Sequence, residues 1–144
     1  MSRISETMSR DHAACDERFS AAEAAAAEGD LAAAAGALAA FAGALERHFG
    51  VEEGELFPAF ERRTGMTDGP TEMMRIEHAE MRELVAQLRA ALDAGDAAEF
   101  LGLADTLNVL MQQHNLKEEQ VLYALLDETL GGEADALLAA LASD

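Results

Sequence analysis

His48-Phe49-Gly50-Val51-Glu52-Glu53 and His114-Asn115-Leu116-Lys117-Glu118-Glu119 carry the same His-x3-Glu-Glu pattern, 66 residues apart. The other two histidines, His12 and His78, each stand 36 residues upstream of one copy, so all four histidines fall in a single duplicated register. The agreement extends further. Asp11-His12-Ala13 recurs as Glu77-His78-Ala79, Glu17 as Glu83, Gly29-Asp30 as Gly95-Asp96, Leu56-Phe57 as Leu122-Tyr123 and Gly65 as Gly131. Each copy reads as a helical hairpin, which makes four helices. The period is too long and the copies too few for a solenoid.

Composition agrees with a helical fold. Of the 144 residues half are apolar, alanine dominates, Pro occurs twice and Trp never, a mixture that favours helix. The length suits one compact domain able to bury a core. A net charge of −18 repels phosphate backbones and anionic lipid, which argues against nucleic acid and membrane as partners. The longest uncharged run, Leu31–Leu45, is 15 residues of mostly Ala and Gly, too short and weakly apolar to span a bilayer. The single cysteine, Cys15, rules out an internal disulfide and suits a reducing cytoplasm. Met1–Arg10 lacks the apolar centre of a signal peptide.

The predicted fold is all-α: an up-down-up-down four-helix bundle with a short C-terminal helix. It forms one domain over 1–144, with hairpins at about 8–63 and 70–130. Helix one is expected from Ser5 to Glu28, with Gly29 as C′ residue and Asp30 as the next N-cap. Helix two presents Leu38, Phe41, Leu45, His48, Glu52 and Leu56 as one inward stripe. Pro58 removes a backbone donor and opposes the Gly54 carbonyl, so a kink or restart is expected near there. Thr64–Gly69 is the one long loop, and Pro70 opens helix three, whose inner face carries His78, Met81, Val85, Leu88 and Leu92. Helix four carries Leu107, Leu110, Met111, His114, Glu118, Val121, Leu122 and Leu125, and Glu133–Leu141 reads as a short closing helix.

Residues i and i+4 of a helix differ by about 40° of rotation, so His48 faces with Glu52 and His114 with Glu118. Glu53 and Glu119, at i+5 and about 140° away, are expected in solvent. The candidate metal ligands are therefore His12, His48, Glu52, His78, His114 and Glu118. Buried together, these groups are costly unless a pair of cations offsets them. Imidazole with carboxylate suits iron or manganese and could accept zinc. Six protein ligands cannot fill two octahedra, so positions stay open for water, hydroxide or a diatomic molecule.

Simpler readings exist for each part. A lone histidine on an apolar face is usually a hydrogen-bonded core residue, and a lone His-x3-Glu is usually a surface pair. Neither explains four histidines in one duplicated register. Cys15 lies one turn beyond His12 and reads as a small buried hydrophobe, as its counterpart Met81 suggests, with a redox reporter as the other reading. Tyr123 could donate an electron or proton near the site; its counterpart Phe57 favours core filling with a partnered hydroxyl. The sequence contains no phosphate loop, Ser/His/Asp set or CxxC motif.

Asp11-His12-Ala13, His48 through Pro58, Glu77 through Met81 and His114 through Glu119 resemble the hemerythrin-like HHE cation-binding domain, in order, over about Met8–Leu126. The resemblance implies a non-haem di-iron centre in a four-helix bundle. Glu52 and Glu118 would bridge two iron ions, His12 and His48 would serve one, and His78 and His114 the other. The chain departs from the oxygen-carrying hemerythrins in two places. Arg82 stands where they have a further histidine, and Glu119 where they have an aspartate. One iron thus loses an imidazole, which makes the site more symmetric and more open than a dedicated oxygen carrier.

Two functions follow as expectations. One is a metal-binding protein that takes up or senses oxygen, nitric oxide or iron itself. The other is a di-iron oxidoreductase, with peroxidase, oxidase or nitric oxide-handling activity at the same site. The lack of a substrate motif or fused electron-transfer domain favours the first. A metal-free interaction module is the weakest reading, because all six ligand positions are intact.

Overall fold

The computed structural model describes residues 3–142; Met1, Ser2, Ser143 and Asp144, the ends of the expected domain and signal-peptide readings, lie outside the described residues. The described residues are all-α, with no strand among them. Six longer helices are α1 (Arg3–Ala27), α2 (Leu31–Val51), α3 (Phe57–Thr64), α4 (Pro70–Asp93), α5 (Ala97–Lys117) and α6 (Tyr123–Leu130). Two wide π turns, Glu52–Leu56 and Glu118–Leu122, join α2 to α3 and α5 to α6 without a break.

The tight hairpin links form as their sequences dictate. Gly29 and Gly95 take the left-handed conformation, with φ of 81° and 70°. Each glycine N–H bonds back to Ala26 or Leu92, and the following aspartate N–H bonds to Ala25 or Ala91, the paired bonds of a Schellman C-cap. Asp30 and Asp96 then cap the next helices by accepting from Ala33 N and Glu99 N, both at 3.0 Å. α1 lies along α2 and α4 along α5, while α1 also packs on α5 and α2 on α4.

Two apolar clusters fill the interior. One, near the hairpin links, holds Cys15, Phe19, Phe41, Phe49, Met81, Leu88 and Met111. The other, at the opposite end, holds Ile4, Met8, Leu56, Phe60, Met74, Leu122 and Leu126. The four histidines and two glutamates occupy the layer between them. The N-terminus of α1 is tied down by Asp127 of α6, whose carboxylate accepts from Ile4 N (2.7 Å), Ser5 N (3.1 Å) and Ser5 Oγ (2.6 Å). This capping carboxylate comes from 123 residues away and satisfies donors that a helix start otherwise leaves open.

Three local expectations are corrected. Pro58 is not needed for the wide turn after α2, because the second copy makes the same turn with Ala124 in its place. Phe57 N and Tyr123 N instead bond five residues back, to Glu52 O and Glu118 O, and Pro58 sits in the first turn of α3. Val121 is not on the inner stripe; it is 57% exposed, because the wide turn shifts the helical phase between Glu118 and Leu122. The closing segment is not one helix. It is a 3-10 turn (Gly131–Glu133) followed by α7 (Ala134–Leu137) and α8 (Ala139–Ala142).

Candidate metal centre

Four rods deliver the six residues to one buried layer: His12 from α1, His48 and Glu52 from α2 and its wide turn, His78 from α4, and His114 and Glu118 from α5 and its wide turn. Glu52, His78 and Glu118 have no exposed surface, His48 and His114 are 1% exposed, and His12 is the most open at 6%. Their donor atoms form two groups, His12/His48/Glu52/Glu118 and His78/His114/Glu52/Glu118, each within 4.8 Å and each able to hold a metal ion.

The carboxylates straddle the two groups. Glu52 turns Oε2 toward His48 Nε2 (3.3 Å) and Oε1 toward His78 Nε2 (3.0 Å). Glu118 turns Oε1 toward His12 Nε2 (3.0 Å) and Oε2 toward His114 Nε2 (3.3 Å). Yet Glu52 Oε1, His78 Nε2, His114 Nε2 and Glu118 Oε2 are fully buried without a hydrogen-bond partner. Buried polar atoms that approach closely without hydrogen-bond alignment are left unsatisfied, at a cost of about 1–3 kcal/mol each. The donor set therefore fits a pair of cations.

Every imidazole is oriented by a carboxylate on its other nitrogen. Nδ1 of His48 donates to Asp11 (2.7 Å), that of His114 to Glu77 (2.7 Å), that of His78 to Glu53 (2.6 Å) and that of His12 to Glu119 (2.7 Å). A carboxylate accepts only, so each ring carries a proton on Nδ1 and turns Nε2 inward, the arrangement that fixes histidine for a metal. Glu53 and Glu119 are thus not idle solvent-facing residues. A π turn advances each residue by less than the about 100° of an α-helix, so the acid after each inner glutamate swings back toward the neighbouring helix. Glu119 stays at the surface, but its carboxylate tip reaches His12. Sequence reasoning missed these four orienting acids, although all recur at the repeat spacing: Asp11 with Glu77, and Glu53 with Glu119.

Tyr123 marks where the duplication breaks. It is fully buried, and its hydroxyl lies 2.6 Å from Glu52 Oε2, 2.8 Å from Glu118 Oε1, 3.1 Å from His12 Nε2 and 3.2 Å from His48 Nε2. Its counterpart Phe57 stacks on the His78 side and offers no such group. Cys15 sits in the apolar cluster, and burial pushes its thiol up to about 12, which fits packing over redox signalling.

The electrostatics of the layer follow from its charges. Burial opposes a charged imidazole, but Glu52, Asp11 and Glu118 outweigh it at His48, which is pushed up to about 10. His78 rises to about 9, again against burial, through Glu118 and Glu52, and His114 rises through Glu118 and Glu77. Against the cost of burial, His114, His12 and His78 hold Glu118 well below the usual carboxylate range. Protons therefore balance this layer when cations do not.

Arg82 is turned away from the layer. It pairs with Glu46 and Glu53 and lies with its guanidinium 5.0 Å above the ring of Phe49. No helix among the described residues is long and apolar enough to cross a membrane. A family model, the hemerythrin HHE cation binding domain, matches residues 3–126 of the chain. No curated protein and no solved structure gives a significant match.

Proposed function

The chain belongs to the hemerythrin HHE cation-binding domain family, and from this premise we propose a non-haem di-iron protein that takes up a small diatomic ligand, oxygen or nitric oxide. In this reading the helices form one domain, an up-down-up-down four-helix bundle. Glu52 and Glu118 bridge two ions, His12 and His48 hold one, and His78 and His114 hold the other. The observation that supports it most is the division of each carboxylate's two oxygens between the two histidine pairs.

Bound iron supplies exchangeable coordination positions and electrons for a diatomic ligand. The chain's residues do the rest. Asp11, Glu53, Glu77 and Glu119 hold the imidazoles in one tautomer, the two apolar clusters exclude bulk water, and Tyr123 places a hydroxyl proton between both carboxylates. Arg82, engaged with Glu46 and Glu53, supplies no fifth imidazole, which supports a more open centre than an oxygen carrier has. Manganese or zinc could occupy the same donors. The lone buried thiol suits a cytoplasmic setting.

The second reading, a di-iron oxidoreductase, draws on Tyr123, a proton and electron donor within hydrogen-bond reach of the site. Absorption spectra of the reduced, iron-loaded protein exposed separately to oxygen, to nitric oxide and to peroxide test the proposal. Spectral change saturating at one ligand per centre supports uptake. Continuous consumption of peroxide or nitric oxide supports the oxidoreductase. No response to any of them counts against both.

A further inference from the structure

The two halves of the duplicated layer have different surroundings. Between α1 and α5 lies a cavity of about 300 Å³, lined in part by His12, Asp16, Gln112, Asn115, Leu116 and Glu119. It leads from exposed Gln112 and Leu116 down to His12, the most open of the six central residues. Asn115 is 8% exposed, lines this cavity, and makes no side-chain hydrogen bond among the described residues. The walls thus offer two carboxylates and a free amide oxygen, ligands suited to a hydrated divalent cation.

Adding 66 to Asp16 gives Arg82; subtracting 66 from Gln112, Asn115 and Glu119 gives Glu46, Phe49 and Glu53. At that second position the passage is filled. Phe49 stacks on His78 with ring centroids 3.8 Å apart, Arg82 lies over Phe49, and Arg82 is clamped by Glu46 and Glu53. The cavity beside Arg82 touches none of the six central residues. One repeat has an acid, an amide and a 6% exposed His12, where the other has a cation, a phenyl ring and a His78 with no exposed surface.

We propose that the α1–α5 cavity is the route by which a divalent cation reaches the centre, with Asp16, Asn115 and Glu119 as transient ligands, and that Arg82 and Phe49 seal the equivalent route in the other half. This rests on the metal-centre reading, and asks of it only how the ions arrive.

Cobalt(II) uptake by the metal-free protein, followed by stopped-flow absorption, tests it. Asn115→Phe copies the plug from the sealed half and should slow uptake at least about tenfold while the final amount bound is unchanged. Asp16→Asn keeps the shape and removes the charge; it should slow uptake a few-fold, with the difference shrinking as salt is raised. Val109→Phe, an addition to an exposed face of the same helix, should leave the rate within about twofold. Uptake by Asn115→Phe and Asp16→Asn as fast as in the unmodified protein overturns the route but leaves the centre standing. A lowered final amount at unchanged rate also overturns it, by making these residues permanent ligands. Failure of the unmodified protein to bind cobalt overturns the metal centre itself.

Discussion

Glu53 accepts the Nδ1 proton of His78 at 2.6 Å, so an acid from the first copy of the repeat orients a histidine of the second. Glu119 does the converse for His12 at 2.7 Å. The two copies are therefore interlocked by their orienting acids, as well as by the carboxylates shared between the two histidine pairs.

Removing such an acid should weaken the metal without touching a ligand. Glu53→Ala is expected to lower affinity on the His78 side by about 10–100-fold, the usual cost of losing a histidine's outer partner. Glu53→Gln, which keeps an acceptor oxygen, should recover part of it. Competition with a chelator of known affinity measures both, and an unchanged affinity in Glu53→Ala would remove the orienting role.

The metal-free and loaded proteins should respond oppositely to pH. His48 and His78 have folded pKa values of about 10 and 9, above the ordinary 6.5. Their protonated forms thus stabilise the fold fully below about pH 6.5, and that contribution disappears as pH rises through 9 and 10. The lowered Glu118 works at the other end: its contribution is present above its ordinary value of 4.5 and is lost as pH falls. Cations replace the imidazole protons, so the gain in melting temperature on loading should widen from about pH 6 to pH 9. Paired thermal melts across that range check this; a constant or shrinking gap contradicts it.

Asp127→Ala should destabilise the metal-free protein by about 1–2 kcal/mol, since it strips the α1 N-terminus of its capping carboxylate. Urea denaturation followed by circular dichroism gives the value. Loss under about 0.5 kcal/mol would mean that water caps these donors as well.

Arg82 bears on oxygen chemistry. With one imidazole fewer than an oxygen carrier, the reduced loaded protein should oxidise in air and not regain its reduced spectrum when oxygen is withdrawn. Full recovery over repeated cycles would return the chain to the carrier class. Arg82→His is the complementary variant, and it also frees Glu46 and Glu53 from their cation.

Much of this was legible in the sequence because helical periodicity is a reliable guide to what shares a face. The all-α character, the Gly-Asp turns and the inward direction of His48, Glu52, His114 and Glu118 followed from it. What failed did so at one physical point. A π turn cannot be read from a 3.6-residue period, so the sequence does not reveal that Glu53 turns in to His78, that exposed Glu119 reaches His12 with its carboxylate tip, or that Val121 leaves the inner face, and it points to Pro58 for a wide turn that Ala124 accompanies equally. Contacts between distant segments, such as Asp127 with Ile4 and Ser5, leave no local signal.

The central claim is that two ions share Glu52 and Glu118. Anaerobic titration of the metal-free protein with iron(II), with bound metal counted by elemental analysis, tests it most directly. The unmodified chain should saturate at two ions, and Glu52→Ala and Glu118→Ala should each impair both sites, while His12→Ala mainly weakens one. Saturation at a single ion, or equal one-step loss in all three variants, would contradict the shared-carboxylate centre.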